Sequence, residues 1–79
     1  MKTTEYIFSE YRDLTDKHVD ASKHLRSMLP RIVNLSKEEE LRDKNLVKEV
    51  LIELDNAEGK IEAALSRLRN IRRTLLELV

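Results

Sequence analysis

Two histidines and two aspartates near the start of the chain are the residues whose types could hold a metal ion. His18 and His24 are six residues apart, and Asp16 and Asp20 flank His18. Helical residues that share a metal lie three or four positions apart, so the two histidines point to different faces. The aspartates lie one turn apart but lack the further oxygen ligands that calcium or magnesium requires. We expect no metal site here, and we interpret the two aspartates as part of a solvated face.

Catalytic side chains form no recognisable arrangement in this sequence. The chain has no cysteine, which excludes disulfides, thiolate nucleophiles and cysteine-bound metals. Its one glycine cannot form a glycine-rich phosphate loop, and no set of histidine, serine and acid suited to nucleophilic catalysis can be identified. We therefore expect a protein that is not an enzyme and that binds no cofactor.

Four arginines near the carboxyl end are the remaining residues with possible chemistry. Arg67, Arg69, Arg72 and Arg73 could contact phosphates, but they are spread around a helix with no aromatic residue among them. The chain carries 15 basic and 15 acidic side chains, so no net field attracts polyanions or anionic membranes. We favour a solubilising helix end, and a nucleic-acid-associated helical protein that uses the Arg67 to Arg73 cluster is the alternative.

The elements that position all these residues are helices. One glycine and one proline in a chain rich in Leu, Glu, Lys, Arg and Ala favour long helices over strands. Apolar residues recur at alternating steps of four and three, which is typical of an amphipathic helix that packs along one stripe. The pattern predicts an all-α single domain over residues 1–79, with a helix at about 4–35, a connection at about 36–45 and a second helix at about 46–78.

Heptad letters assigned to this pattern place the packed residues at a and d. In the first helix the a positions are Tyr11, His18, Leu25 and Ile32, and the d positions are Ile7, Leu14, Ala21, Met28 and Leu35. In the second helix the a positions are Val47, Leu54, Ile61, Leu68 and Leu75, and the d positions are Val50, Ala57, Ala64, Ile71 and Leu78. The connection is too short for parallel helices, so we predict an antiparallel, coiled-coil-like hairpin with His18 tolerated in its interface opposite Ala64.

Two local signals concern the end of the first helix. Pro30 removes a backbone hydrogen bond and crowds the preceding turn. The apolar pattern continues in register beyond it, so we favour a kinked helix, with a break at Pro30 as the alternative. Ser36 and Glu39 match a capping box, which indicates a helical turn in the connection or an earlier start of the second helix.

Apolar residues outside a and d are the most informative feature, because a two-helix interface does not use them. They concentrate on the e and b flank of both helices, and like-lettered flanks lie on the same side of an antiparallel hairpin. We expect this flank to bind a partner through Phe8, Val19, Leu29, Val33, Leu51, Ile52, Leu65, Leu76 and Val79. One broad apolar side makes the hairpin half of a larger helical bundle, completed by another protein or by a second copy.

The same letters divide the apolar residues by role. Residues such as Ile61 and Leu68 should hold the hairpin together, whereas Leu51 and Leu65 should hold the partner. The opposite flank, at g and c, is polar, and we expect it to be solvated with a weak ion pair between Arg31 and Glu53.

A short, cysteine-free helical hairpin with an apolar flank resembles the small co-chaperones of type III secretion needle subunits. The second helix, with its run Asn56-Ala57-Glu58-Gly59-Lys60-Ile61-Glu62-Ala63-Ala64-Leu65, is similar in character to theirs. The resemblance implies a hairpin that binds a helical-repeat chaperone and helps to keep the needle protein unpolymerised.

The function that we expect is that of a non-enzymatic interaction module, a chaperone, adaptor or assembly subunit that docks a partner helix on its apolar flank. A structural homodimer forming a four-helix bundle is the alternative. The longest apolar runs are three residues and the start, Met1-Lys2-Thr3-Thr4-Glu5, lacks the apolar segment of a secretory signal. We therefore expect a cytoplasmic protein with no membrane partner.

Overall fold

The computed structural model describes residues 2–35, 37 and 42–79, and these residues form two helices. Helix α1 spans Lys2–Leu35 and helix α2 spans Lys44–Glu77, each with 34 residues. The two helices pack against each other along a molecule with principal extents of 58 × 18 × 15 Å. No strand occurs among the described residues. The predicted all-α helical hairpin is confirmed.

Helix α2 begins at a capping residue that its sequence supplies. Asp43 has an extended backbone, and its carboxylate accepts hydrogen bonds from the backbone N–H groups of Asn45 at 3.0 Å and Leu46 at 3.3 Å. These donors have no partner within the helix, so the carboxylate stabilises the first turn. The capping box predicted from Ser36 and Glu39 lies outside the described residues.

Helix α1 runs through Pro30 and ends five residues later, at Leu35. The proline side chain is exposed, away from α2. Its ring occupies the solvent side of the helix, where the backbone carbonyl that loses its partner can be hydrated. The helix therefore continues past the proline and carries the apolar pattern to its last turn.

The interface between the helices follows the d positions. Among the described residues, the buried apolar ones are Ala21, Met28, Val50, Ala57 and Ala64, and all five occupy d. Three of them are alanines, whose small side chains allow the two backbones to approach closely. No side chain of the described residues that is polar or charged is buried with them. The core is therefore a narrow line of small and medium-sized residues along the length of the hairpin.

The a positions contribute less to this interface than the sequence pattern predicts. Four leucine and isoleucine side chains at a are between 40% and 44% exposed, namely Leu25, Leu54, Ile61 and Leu68. The expectation that Ile61 and Leu68 lie inside the hairpin is therefore wrong, because each is only about half covered by the other helix. His18 is exposed and is not part of the packed interface with Ala64. The apolar stripe covers d, a, e and b, which is wider than one neighbouring helix can cover. The hairpin therefore packs along one edge of the stripe.

Candidate protein-binding face

A row of charged side chains beside the d positions determines which edge of the apolar stripe packs between the two helices. At mid-hairpin, Nε2 of His24 lies 3.1 Å from the carboxylate of Glu53 and 3.1 Å from the Glu53 carbonyl oxygen. Arg31 adds a longer contact to Glu53 at 3.9 Å, and Nζ of Lys60 lies 3.7 Å from Asp20. Lys60 also lies 3.4 Å from Nδ1 of His24. These groups link the g and c positions of the two helices.

Arg67 makes the corresponding contacts at the other end of the hairpin. Its Nε donates a hydrogen bond to the carboxylate of Asp13 and lies 3.8 Å from Glu10. The hydrogen bond and charge of Asp13 raise the pKa of Arg67 above its usual value, with a smaller contribution from Glu10. Among the described residues, Oε2 of Glu10 is buried without a hydrogen-bond partner. Arg67 is therefore the cation that compensates both carboxylates.

The g positions are therefore partly buried, and the expectation that the flank formed by g and c is solvated is wrong for them. Lys17, His24, Glu53, Lys60 and Arg67 are all half-buried between the helices. Their alkyl and ring atoms cover the alanine-rich line while their charged groups reach water or each other. The pairing of ionic groups across the hairpin draws the helices together on this side.

These cross-helix contacts also determine where the rest of the apolar stripe lies. Residues at g contact each other across the hairpin, as in the pairs His24 with Glu53 and Arg67 with Glu10. In an antiparallel pair, this arrangement places the a, e and b positions of both helices together on the opposite side. The two apolar stripes therefore merge into one surface.

We call this surface the apolar face and define it by its exposed a, e and b residues. Among the described residues, 17 large apolar side chains are at least 40% exposed, and only Tyr6, Ile52 and Leu78 of these lie at other letters. The apolar face comprises Phe8, Tyr11, Val19, Leu25, Leu29, Ile32 and Val33 of α1, and Leu51, Leu54, Ile61, Leu68, Leu75, Leu76 and Val79 of α2. An exposed apolar surface of this kind is a candidate association site.

The structure places most of the predicted partner-binding residues on the apolar face. Phe8, Val19, Leu29, Val33, Leu51, Leu76 and Val79 belong to it, with exposed fractions from 49% upwards. Ile52 is 60% exposed but lies at f, further round the helix. Leu65 lies at e like Leu51 but is half-buried.

Sequence reasoning missed the a residues as part of this face. It assigned Leu54 and Ile61 wholly to the interior, although each is 44% exposed. Two signals could have found them. The alanines at d allow a close approach centred on d, and oppositely charged g residues such as Glu10 and Arg67 favour a rotation towards the g flank.

The metal site and the arginine cluster considered from the sequence are not formed in the described part of the chain. His, Cys, Asp and Glu side chains form no group of three or more that could hold a metal ion there. Arg69, Arg72 and Arg73 are exposed, and Arg73 donates a hydrogen bond to the side chain of Asn70 at 3.1 Å. Arg67 is engaged by Asp13, so the four arginines do not act as one cationic cluster.

A membrane-spanning role has no candidate segment among the described residues, since neither helix is apolar over the length needed to cross a bilayer. Comparisons with protein-family models, with curated proteins and with solved structures give no match to this chain.

Proposed function

We propose that this chain is a non-enzymatic protein–protein interaction module whose apolar face is covered by helices of another polypeptide chain. The observation that carries the proposal is the imbalance between core and surface. The hairpin buries five apolar residues, three of them alanines, while 17 large apolar side chains stay at least 40% exposed in the described residues. A core this small contributes little to stability, since burial of large apolar side chains is the main favourable term in folding.

The shape of the apolar face favours a helical partner. The face runs along two antiparallel helices on a molecule 58 Å long and 18 Å wide, so it offers a long shallow strip between two parallel ridges. A helix or helix pair laid into such a strip buries side chains at helical spacing on both partners. The ion pairs of the g flank hold the two helices together on the side opposite the apolar face.

The experiment compares three tagged full-length chains expressed in the native host and analysed by size in gentle extracts. Ile61→Asp introduces a charge on the apolar face, and Ser66→Asp introduces the same charge at an exposed position away from that face. We expect the original chain and Ser66→Asp to migrate in an assembly larger than one chain, and Ile61→Asp to be released from it. Circular dichroism of the purified variants checks that both remain helical.

Co-migration of Ile61→Asp with the original chain, at equal abundance and helicity, would overturn the proposal. Migration of the original chain as a free 9.3 kDa monomer would also overturn it.

A further inference from the structure

We infer that the polypeptide covering the apolar face is a second copy of this chain, with α2 of one copy packed antiparallel against α2 of the other. The inference rests on the proposed function, because it identifies the occupant of the same face. It is carried by the exposed area of the hairpin and by the arrangement of charges along α2.

The exposed area matches what a stable dimer buries. A compact monomer of this mass exposes about 5,000 Å², whereas the hairpin exposes 6504 Å². Removing the excess of about 1,500 Å² from each of two chains would bury about 3,000 Å² in total, which lies within the range of permanent homodimer interfaces. One additional helix from a different protein would cover only part of a face that spans two helices.

From Leu51 onwards, the charged residues at the e and b positions of α2 are separated by sign. The exposed acidic residues Asp55, Glu58 and Glu62 come first, and the exposed basic residues Arg69 and Arg72 follow them. The ion pairs within the described hairpin use Glu53, Lys60 and Arg67 of α2 and leave the exposed acidic and basic groups available. An antiparallel pair of α2 helices sets the acidic half of each copy against the basic half of the other, whereas a parallel pair would oppose like charges.

One register brings opposite charges and apolar residues together at the a and e positions of α2. When Glu58 faces Arg72 of the second copy, Glu62 faces the second copy's Arg69, and both pairs occur twice by symmetry. In the same register Ile61 faces Leu68, Leu54 faces Leu75, and Leu65 lies beside the two-fold axis. Every a and e position of α2 from Leu51 onwards then meets a residue of its own kind or of opposite charge.

The register also determines which exposed residues stay outside the dimer. The two-fold axis beside Leu65 crosses α1 near Leu14, since Leu14 and Ala64 occupy the same level of the hairpin. Residues of α1 near Glu5 then meet residues near Lys23 of the second copy, and Leu29 lies beyond the overlap. Ser66 is exposed and lies outside the apolar face, so Ser66→Asp is the matched control for Ile61→Asp.

The decisive experiment uses two charge-reversed forms of the full chain. The first carries Glu58→Arg with Glu62→Arg, and the second carries Arg69→Glu with Arg72→Glu. Each form alone places like charges at all four symmetric contacts, so we expect its dimer dissociation constant to rise by about tenfold or more. An equimolar mixture restores opposite charges at all four contacts, so we expect a heterodimer with an affinity within about threefold of the original dimer.

Sedimentation equilibrium with one form labelled measures all three affinities, and circular dichroism checks that each form is helical. Ile61→Asp is expected to abolish the original dimer, and Ser66→Asp is expected to retain it. A mixture that associates no better than either form alone would overturn the antiparallel α2 pairing, and loss of the dimer in Ser66→Asp as well as in Ile61→Asp would overturn the apolar face as its interface. An original chain that is monomeric throughout would overturn the second copy as occupant. The native-host assembly and its loss in Ile61→Asp test the proposed function independently of these outcomes.

Discussion

Replacing Met28 or Leu25 by alanine separates the observed d-centred packing from a symmetric a/d interface. The two residues lie three positions apart on α1, and an apolar repeat treats them alike. In the structure Met28 is 2% exposed and Leu25 is 44% exposed. Neither substitution lowers helix propensity, because alanine is the best helix former. A difference between the two variants therefore reports packing alone.

The expected loss in the free energy of unfolding is severalfold larger for Met28→Ala than for Leu25→Ala. Truncating a fully buried methionine removes its transfer free energy and leaves a cavity, which costs about 2–5 kcal/mol. Leu25 buries little more than half of its surface, and its truncation to alanine leaves no enclosed cavity. Leu25→Ala should therefore lower the free energy of unfolding by about 1 kcal/mol. A chain of this length has a total stability of about 4–12 kcal/mol at ordinary values per residue. Met28→Ala thus removes a large share of the free energy of unfolding, and Leu25→Ala a small one.

Urea unfolding followed by far-ultraviolet circular dichroism measures both losses. Titrations at several protein concentrations separate packing within the hairpin from association, because only association depends on concentration. The reasoning predicts a loss for Met28→Ala that is at least twice that for Leu25→Ala and is independent of concentration. Equal losses for the two variants would refute the d-centred interface and favour symmetric a/d packing.

Three further substitutions test local features of the hairpin. Asp43→Ala should lower the free energy of unfolding by about 1 kcal/mol, because two N-terminal N–H groups of α2 lose their acceptor. Asp43→Asn should keep most of the original free energy of unfolding, and chemical denaturation measures both variants. Gly59→Ala should raise stability by about 0.5–1 kcal/mol, since a Cβ there meets no atom within 4 Å; a calorimetric melting temperature that fell would contradict this. Arg67→Gln should lower the melting temperature at low salt and lower it less at high salt, because Glu10 and Asp13 then lose their cation.

The helices and their antiparallel pairing could be predicted from the sequence because both are local consequences of composition and period. The recurrence from Val47 to Leu78 requires a helical face, and a short connection requires the chain to reverse. The start of α2 was harder to predict. Asp43 caps the helix in the structure, whereas Ser36 matched a capping box in the sequence, and both residue types are good helix caps.

The rotation of the helices about their axes could not be read from the repeat. A stripe that covers d, a, e and b can pack along any part of its width, and the repeat gives no preference among them. The choice depends on contacts between residues far apart in sequence, such as Arg67 with Asp13 and His24 with Glu53. The repeat therefore indicated that the flank with Leu51 and Leu76 is exposed, while it assigned Leu54 and Ile61 to the interior.

The most direct test of a second copy as the occupant of the apolar face is the mass and melting temperature of the purified chain as functions of its concentration. Sedimentation equilibrium gives the mass, and circular dichroism gives the melting temperature in the same samples. The account predicts a mass approaching twice 9.3 kDa and a melting temperature that rises with concentration, since association stabilises only the folded chain. A monomer at every concentration, with a high melting temperature that does not change, would contradict it.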